Sequence, residues 1–404
     1  MPASPRGVLY CGSGDLSGYG QAAIAYVRGL VNAGLPVHWV PMDWLPNRMA
    51  AGSWTLPDGR PRGLLEQCGT HGHLADVPAL VRHTSAPIAH DVVIVHAPPE
   101  AWPQIFEPGK RNIGVTVWET DRAPAHWLPL LRQADRVIVP CEFNRAAFAR
   151  SGLDRPIRVV PHIRRHCWRE FTPADVAHAR AQLGIPAGHR VFYTIGAWDP
   201  RKNLPALIRA FARAFAAEAP VCLLVKTGAT GHGDAPFYPV FPSRELVLQA
   251  MHDAAAEIGR PPAQIVLVDA ELDGDSLDLI HALGDIYVSL THGEGWGLGA
   301  FEAATLGKPV VMTAWGGHCE FLGADWPGAI PCALEPVPLW PPHQPSYFPS
   351  QRWAAPDLDR AAALMRAAMD DGDPGLAAAR ATRERIVRDC AEPVVVDALI
   401  EAIA

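Results

Sequence analysis

The stretch DIYVSLTHGEGWGLGAFEAATLGKPVVMTA, residues 285–314, holds the pattern that decides the fold. DIYVSL is a short apolar run of the kind that forms a buried parallel strand, and PVVMTA is a second one. Between them, GLGAFEAATLGKP has the pattern of a helix that ends at Gly307. A strand, a helix and a second strand in this order predict a right-handed βαβ unit.

The same alternation of apolar runs and helical patterns covers most of the chain. In the first half the apolar runs are GVLYC, LPVHWV, DVVIVHA, NIGVTVW and DRVIVP, and in the second half they are RVFYTIGA, VCLLVKT, QIVLVDA, DIYVSL and PVVMTA. Residues 161–175, which separate the two series, have weak periodicity and are predicted to be a linker. We therefore predict an α/β protein with two Rossmann-like, doubly wound domains facing each other across a cleft.

The predicted N-terminal domain covers residues 1–165, and the predicted C-terminal domain covers residues 176–384. The stretch at about 385–404 has a helical pattern with a kink expected at Pro393, and it is a candidate to pack back on the first domain. Residues 327–350 contain eight prolines and no periodicity. This composition predicts a long irregular loop.

Composition and charge narrow the function classes. The 404 residues are 49% hydrophobic and 19% charged, and the net charge of −7 gives no overall attraction for nucleic acid or an anionic membrane. The start, MPASPRGVLY, lacks the apolar core of a secretion signal, and no stretch reaches membrane-spanning length. Eight scattered cysteines without a CxxC pair favour reduced thiols over disulfides or a zinc site. We expect a cytoplasmic protein, with peripheral attachment to a membrane left open.

Two glutamates with glycines between them are the most informative feature. Glu294 is predicted on the loop at the carboxyl end of a strand, and Glu302, with seven residues between, near the first turn of the helix. Gly295, Gly297 and Gly299 allow backbone amides to approach a ligand, and a helix N-terminus favours an anion. A carboxylate can accept hydrogen bonds from two adjacent sugar hydroxyls. The pattern therefore predicts a site for a sugar–diphosphate–nucleoside.

This stretch resembles the E-x7-E motif of retaining GT-B glycosyltransferases, chiefly those of family 4, and the similarity continues through GKPVV and TAWGGHCEFL. The resemblance implies a GT-B fold and the transfer of a sugar from a nucleotide-diphosphate sugar, with UDP- or GDP-sugar favoured, to a hydroxyl acceptor, without a metal or other cofactor. It implies that Glu294 contacts the donor sugar and that Glu302 holds the ribose. The backbone amides implied to contact sugar and phosphate are those of Trp296, Gly297, Leu298 and Gly299.

A second stretch, TIGAWDPRKNLPALIRAFARAF, supplies cations that suit the departing diphosphate. Fixed positive charges near the breaking bond stabilise such a leaving group, and Arg201 and Lys202 are suited to this role. Taken alone, two cations before a helix are more often solvated surface residues. The family motif that this stretch resembles also has RKN here, which implies a role for Lys202. The family usually has arginine where this chain has Ala197, so Arg201 or Lys226 is expected to supply that cation.

The glycine-rich stretch CGSGDLSGYGQAA allows an alternative function. Gly12, Gly14 and Gly18, with Asp43 after the second predicted strand, are similar to the parts of a dinucleotide-binding site. An NAD(P)-dependent oxidoreductase therefore stays open. In retaining GT-B enzymes the corresponding loop packs over the donor diphosphate, which implies that role for Gly18 and Gly20. The glutamate pair favours the transferase.

Three residues of the N-terminal half are further site candidates. Many family members have a histidine directly after the strand that is NIGVTVW in this chain, but here Trp118 and Glu119 follow. Glu119 is a candidate for contact with the donor sugar or the acceptor hydroxyl. His96, at the end of DVVIVHA, and Trp118 are candidate sugar or acceptor contacts, and structural packing is the alternative for each.

Two short motifs are similar to metal sites but do not predict one. The sequence DGD at 273–275 matches a manganese-binding D-x-D, yet Asp275 precedes a helical pattern and is predicted to be a helix N-cap. HGH at 71–73 has no third ligand. Two further classes stay open: a noncatalytic GT-B-shaped binding protein, and a nucleic-acid glucosyltransferase, against which the acidic balance weighs. The acceptor is expected to be a glycan, a lipid-linked or a small molecule, in preference to a protein or nucleic acid.

Overall fold

The computed structural model describes residues 5–45, 48–56, 58–68, 72–232, 240–323, 325–338, 346–369 and 374–404. The chain divides into two compact units. The first unit consists of Met1–Cys167 together with Ile386–Ala404, and the second consists of Trp168–Arg385.

The first unit is built on a seven-stranded sheet. Its strands are β1 (Val8–Ser13), β2 (Val37–Leu45), β3 (Arg48–Ala51), β4 (Val92–His96), β5 (Arg111–Val115), β6 (Arg136–Val139) and β7 (Ile157–Val159). The strands lie in the order β3-β2-β1-β4-β5-β6-β7, and only β3 is antiparallel to its neighbour. Every residue of β1 and β4 is buried, as expected of short apolar runs in a parallel sheet.

Helices flank this sheet. They are α1 (Gly18–Asn32), α2 (Gly63–Gln67), α3 (Val77–Thr84), α4 (Leu128–Leu131), α5 (Glu142–Arg150) and, at the end of the chain, α14 (Glu392–Ile403). The last helix packs on the first: a Cβ atom at Gly29 would lie 2.3 Å from the Val396 side chain. The Asn32 amide also donates to Glu392 at 2.6 Å. The final segment of the chain thus belongs to the first unit.

The second unit holds a six-stranded parallel sheet and two hairpins. The strands are β8 (Arg190–Ile195), β9 (Val221–Lys226), β10 (Thr230–His232), β11 (Val240–Pro242), β12 (Gln264–Val268), β13 (Ile286–Ser289), β14 (Val310–Thr313), β15 (Ala329–Ile330), β16 (Cys332–Pro336) and β17 (Arg352–Pro356). The sheet order is β12-β9-β8-β13-β14-β15, and β10–β11 and β16–β17 form the hairpins. Because all six strands are parallel, the carboxyl ends of β8 and β13 are neighbours.

The helices of this unit are α6 (Pro173–Gln182), α7 (Leu204–Ala214), α8 (Ser243–Ile258), α9 (Gly274–Leu283), α10 (Leu298–Thr305), α11 (Cys319–Leu322), α12 (Leu358–Ala367) and α13 (Pro374–Asp389). On α7, Leu207, Ile208 and Phe211 are fully buried against the sheet, where Phe211 meets Phe192 edge-on. Each such side chain stabilises the fold by roughly 1.5–3 kcal/mol. Along the described ranges, no helix combines the length and the apolar character needed to cross a membrane.

The predicted α/β class with parallel sheets is confirmed, but several local predictions are wrong. The region 327–350 is not one irregular loop, because it contains β15 and β16; residues 339–345 lie outside the described ranges. Pro331 and Pro336 flank or end a two-stranded ribbon, where proline is tolerated. Pro393 does not kink a helix, since it lies in the first turn of α14, where its missing N–H is not needed.

Two predicted helix starts also differ from the structure. Asp273, not Asp275, caps α9, because its carboxylate accepts the Ser276 amide at 2.8 Å. Asp275 instead lies in the first turn and pairs with Arg169. Helix α1 begins at Gly18, so this glycine belongs to the helix and not to the preceding loop.

Candidate active site

The site is built on two loops at the carboxyl ends of neighbouring strands. The loop after β13 carries Glu294, and the loop after β8 carries Arg201 and Lys202. Backbone contacts join the loops: the His292 amide donates to the Arg201 carbonyl at 2.8 Å. The Asn203 side chain reaches the other way and donates to the Leu290 carbonyl at 3.0 Å. These hydrogen bonds therefore hold the two loops together.

Glu294 lies between two cations. The Lys202 Nζ donates to Oε1 at 2.6 Å, and the Arg201 Nη1 is 3.2 Å from Oε2. The same Arg201 nitrogen donates to the Gly293 carbonyl at 2.7 Å, which fixes the guanidinium on the loop. Local backbone structure places both cations: the Asp199 carboxylate accepts the Lys202 amide and caps a 3-10 turn.

The positive charges on these two loops decide the protonation state of Glu294. The residue is only 7% exposed, and burial alone would raise its pKa. The positive charges of Lys202 and Arg201, together with the Lys202 hydrogen bond, outweigh burial and lower the pKa of Glu294 from 4.5 to about 2. Glu294 is therefore ionised at neutral pH, and the two cations and one carboxylate leave one net positive charge.

The glycines of the motif have structural reasons of their own. Gly297 is the N-terminal cap of α10 and has a φ of 89°, a conformation that favours glycine. A Cβ atom at Gly299 would lie 2.6 Å from the Tyr287 hydroxyl, so this position must be small for α10 to pack on β13. The sequence-based reason for these glycines was close approach of the backbone to a ligand. The backbone conformation at Gly297 and the packing at Gly299 favour glycine even without a ligand.

The Trp296 side chain is not available to a ligand. It is 4% exposed and packs against Phe301 and Phe321, with ring centroids 5.2 Å apart in each case. Below the loop, His318 is fully buried and its Nε2 donates to the Thr313 carbonyl at 2.6 Å. Only the backbone of residue 296 is left for the contact that the resemblance implies.

Glu302 lies one turn into α10, on the same loop-and-helix segment. Its side chain is 22% exposed, and Oε2 is 3.3 Å from the Nε2 of His281. Lys226, the other predicted donor-site cation, ends the neighbouring strand β9 and is 8% exposed. Its Nζ donates to the Thr227 carbonyl at 2.7 Å, and burial lowers its pKa. Arg201, and not Lys226, is the cation that joins Lys202 at Glu294.

Gly18 and Gly20, in the first unit, form the first turn of α1. The Ser17 hydroxyl caps this helix by accepting the Gly20 amide at 3.2 Å. A Cβ atom at Gly20 would lie 1.9 Å from the Asp15 carbonyl oxygen, so the tight turn requires glycine there. Tyr19, between them, bonds the Thr116 hydroxyl at 3.0 Å at the end of β5.

His96 is enclosed by aromatic rings. It is 2% exposed, its Nδ1 is 2.7 Å from the Tyr10 hydroxyl, and Tyr26 stacks on it. Burial, with a smaller contribution from His162, lowers the pKa of His96 to about 3. The imidazole is therefore neutral at physiological pH.

Trp118 and Glu119 differ in their surroundings. Trp118 is 4% exposed, lies edge-on to Trp127, and donates its indole N–H to the Thr120 hydroxyl at 2.6 Å. This geometry favours packing for Trp118. Glu119 is half-buried, and its negative charge adds to burial in raising the pKa of Tyr19.

Neither a metal site nor a dinucleotide site is supported by the side chains. Among the residues that the structure describes, no three His, Cys, Asp or Glu side chains come together in a way that could hold a metal ion, and His71 lies outside them. Asp43 does not follow the second strand but lies within β2, where both its oxygens bond the Arg62 guanidinium. That carboxylate is therefore engaged and does not stand at a strand end, where the oxidoreductase interpretation had placed it.

Comparison with known protein families agrees with the glycosyltransferase resemblance of the sequence. Residues 175–330 match the model of the family "Glycosyl transferases group 1". This segment of the chain is therefore similar to the group 1 glycosyltransferases. The D-inositol 3-phosphate glycosyltransferase of Mycolicibacterium gilvum is 32% identical over 230 residues, which are 56% of this chain and 48% of that protein. The enzyme of the same name from Segniliparus rotundus is 31% identical over 147 residues, 36% of this chain and 30% of that protein. The chain thus spans less than half the length of these curated relatives.

Solved structures show the fold over nearly the whole chain. Sucrose-phosphate synthase from Thermosynechococcus elongatus has a TM-score of 0.61 at 17% identity, and 98% of each chain is covered. HepE of Anabaena, solved in complex with UDP and glucose, has a TM-score of 0.58 at 14% identity with the same coverage. These likenesses confirm the predicted GT-B fold, and the match to the glycosyltransferase family gives the oxidoreductase alternative no support.

Some residues of the site were not predicted from the sequence. His281 and His318, next to the two glutamates, are separated from them in sequence by 21 and 24 residues. His281 lies within a helical pattern with no local motif around it. His318 stands in TAWGGHCEFL, the conspicuous stretch after the second glutamate, which was the one available signal.

Proposed function

We propose that the protein is a retaining glycosyltransferase of the family 4 type, which moves a sugar from a nucleoside-diphosphate sugar to a hydroxyl acceptor without a metal ion. The observation that carries this proposal is the buried Glu294 carboxylate between two cations. It lies at the carboxyl ends of two adjacent parallel strands, in a glycosyltransferase domain that also holds Glu302. Ligands of doubly wound sheets bind outside these strand ends.

The arrangement has the groups that such a donor requires. Each carboxylate oxygen of Glu294 uses one acceptor position on a cation, and a second position on each remains for sugar hydroxyls. Arg201 and Lys202 contribute the net positive charge that stabilises the departing diphosphate. Backbone amides at 296–299, at the start of α10, add hydrogen-bond donors for phosphate. Glu302 accepts hydrogen bonds from the ribose.

The proposed reaction needs no nucleophile from the protein. The acceptor oxygen attacks the anomeric carbon on the face from which the diphosphate departs. The bond from that carbon to the phosphate oxygen breaks, and the departing phosphate takes the proton of the acceptor hydroxyl. The anomeric configuration is therefore retained. Exclusion of water protects the donor from hydrolysis during this step.

UDP-sugar is the first donor to test and GDP-sugar the second, because HepE, which shares the fold, was solved with UDP and glucose. We further propose that Gly18, Gly20 and Lys226 lie near the donor diphosphate and that Glu119 contacts the donor sugar or acceptor. The acceptor is a hydroxyl of a glycan, a lipid-linked or a small molecule. The eight free thiols suit a reducing compartment and support a cytoplasmic location.

The test measures release of nucleoside diphosphate from UDP-glucose, UDP-N-acetylglucosamine and GDP-mannose, with a panel of hydroxyl acceptors. We expect one donor to be consumed, and NMR of the product to show the anomeric configuration of the donor. Glu294→Gln, which keeps the side-chain shape, should lower the rate by about 100-fold or more. Glu257→Gln is the matched control, because Glu257 pairs with Arg209 and Arg213 on the surface.

Two outcomes would contradict the proposal. If the protein binds a nucleoside diphosphate tightly but neither cleaves a nucleotide sugar nor transfers its sugar to an acceptor, the noncatalytic binding protein is favoured. A product of inverted anomeric configuration would exclude the retaining reaction.

A further inference from the structure

We propose that His281 is a positioning residue, which holds the Glu302 carboxylate for a ribose and so sets the preference for nucleotides that carry ribose hydroxyls. This inference rests on the proposed function, because it takes Glu302 as the group that binds the nucleotide. His281 belongs to α9 and Glu302 to α10, the two helices that precede and follow β13.

Both ring nitrogens of His281 are engaged. Nε2 is 3.3 Å from Oε2 of Glu302, and Nδ1 is 3.0 Å from the Tyr193 hydroxyl. The histidine is 1% exposed and Tyr193 is fully buried, so water does not compete for the contact between these two side chains. The Trp168 ring meets the imidazole edge-on, with centroids 5.6 Å apart. The orientation of the imidazole is therefore fixed from three sides.

The chemistry of the partners assigns the hydrogens. An ionised carboxylate can only accept, so Nε2 of His281 carries a hydrogen and donates it to Glu302. In the tautomer that carries its hydrogen on Nε2, Nδ1 accepts, and the Tyr193 O–H is its donor. The result is a hydrogen-bonded series in which Tyr193 orients His281 and His281 orients Glu302. Hydrogen-bond partners orient the ligands of metal sites in the same way.

This hydrogen-bonded series orients the Glu302 carboxylate before a ligand binds. The Oε2 atom of Glu302 contacts His281, and the Glu302 side chain as a whole remains 22% exposed. A glutamate carboxylate otherwise rotates over a broad range about its last bond. Fixing it in advance reduces the loss of side-chain freedom when a ribose binds. The benefit falls only on ligands whose hydroxyls reach the carboxylate, which makes His281 a determinant of specificity.

Titration calorimetry on the full chain tests this with UDP and 2′,3′-dideoxy-UDP, which lacks both ribose hydroxyls. We expect wild type to prefer UDP by about tenfold or more, the effect of one hydrogen bond to a charged group. His281→Phe fills the same space without an N–H, and its preference should fall below about threefold while affinity for the dideoxy nucleotide is unchanged. His281→Gln retains an N–H donor and should restore most of the preference.

A second set of variants separates positioning from folding. Tyr193→Phe should weaken the preference less than His281→Phe, because it removes only the outer hydrogen bond. If His281 acts through Glu302, adding His281→Phe to Glu302→Ala should change the preference no further. If UDP does not bind, GDP and its dideoxy counterpart take the place of the uridine pair.

The outcomes distinguish failure of the inference from failure of the proposed function. An unchanged preference for UDP in His281→Phe overturns the positioning role and leaves the proposed function standing. Equal losses of affinity for both nucleotides in that variant also overturn it, since they indicate a purely structural role. A wild type that binds UDP and its dideoxy counterpart equally removes Glu302 from the ribose hydroxyls and overturns this inference alone. A wild type that binds no nucleoside diphosphate overturns both the inference and the proposed function.

Discussion

Glu294→Gln isolates the charge of the buried carboxylate, because glutamine has nearly the shape of a protonated glutamate. The structure lowers the pKa of Glu294 from 4.5 to about 2 through Lys202 and Arg201, against the opposing effect of burial. Such a change corresponds to about 3 kcal/mol of folding free energy at neutral pH. We expect Glu294→Gln to be less stable than wild type by about this amount at pH 7.

The pH dependence of this difference carries the sharper test. A carboxyl whose pKa is lower in the folded state contributes stability above its unfolded pKa and loses it as the pH falls through the folded pKa. The gap between wild type and Glu294→Gln should therefore be constant above about pH 5, shrink from about pH 4.5, and close near pH 2. Equilibrium unfolding in urea at a series of pH values measures it.

A surface carboxylate provides the control. Glu257 also pairs with two cations, Arg209 and Arg213, but its side chain is 33% exposed, so Glu257→Gln should change stability by at most about 1 kcal/mol. The reasoning is refuted if Glu294→Gln is as stable as wild type at pH 7. It is equally refuted if the gap does not narrow between pH 4.5 and 2.

Two further substitutions test the packing of α10 in the second unit and the titration of a buried histidine in the first. Gly299→Ala places a Cβ atom 2.6 Å from the Tyr287 hydroxyl and should destabilise by roughly 1–3 kcal/mol in urea unfolding, whereas Gly72→Ala, with open space around it, should change little; equal effects would contradict the packing reason. His96 has a pKa of about 3 against an ordinary 6.5, so protonation favours the unfolded state and wild type should lose stability as the pH falls from 6.5 to 3. His96→Asn, which can still meet the Tyr10 hydroxyl, should be less acid-sensitive over that range, and identical pH profiles would show that the buried imidazole does not carry this effect.

The sheets were predictable from the sequence because parallel strands buried on both faces are continuous apolar runs. VCLLVK and VVIVH are such runs, and the structure has a strand at each. The β16–β17 ribbon was not predicted because it is a separate two-stranded sheet, β16 is mostly exposed, and a proline-rich segment separates its two strands. Its pairing of Glu335 with Trp353 depends on residues that are far apart in sequence.

The candidate site was predictable as a set of residues, but not as a set of contacts. Glu294, Arg201 and Lys202 stand in recognisable loops, yet their ion pairs join residues more than 90 positions apart and depend on β8 and β13 being neighbours. The contact between Glu302 and His281 could not be predicted either, because His281 lies in a helix without a local motif. Spacing along the chain indicates which groups are present, and only tertiary packing decides which of them meet.

The most direct measurement is thermal unfolding of wild type and Glu302→Ala with UDP, GDP, ADP, dTDP, NAD and NADP. A nucleotide at 100 times its dissociation constant stabilises by about 2.7 kcal/mol, a readily measured shift. We predict that one nucleoside diphosphate stabilises wild type and that Glu302→Ala loses that response. Stabilisation by NAD or NADP alone, equal in both proteins, would contradict the assignment of Glu302 to a nucleotide-sugar site.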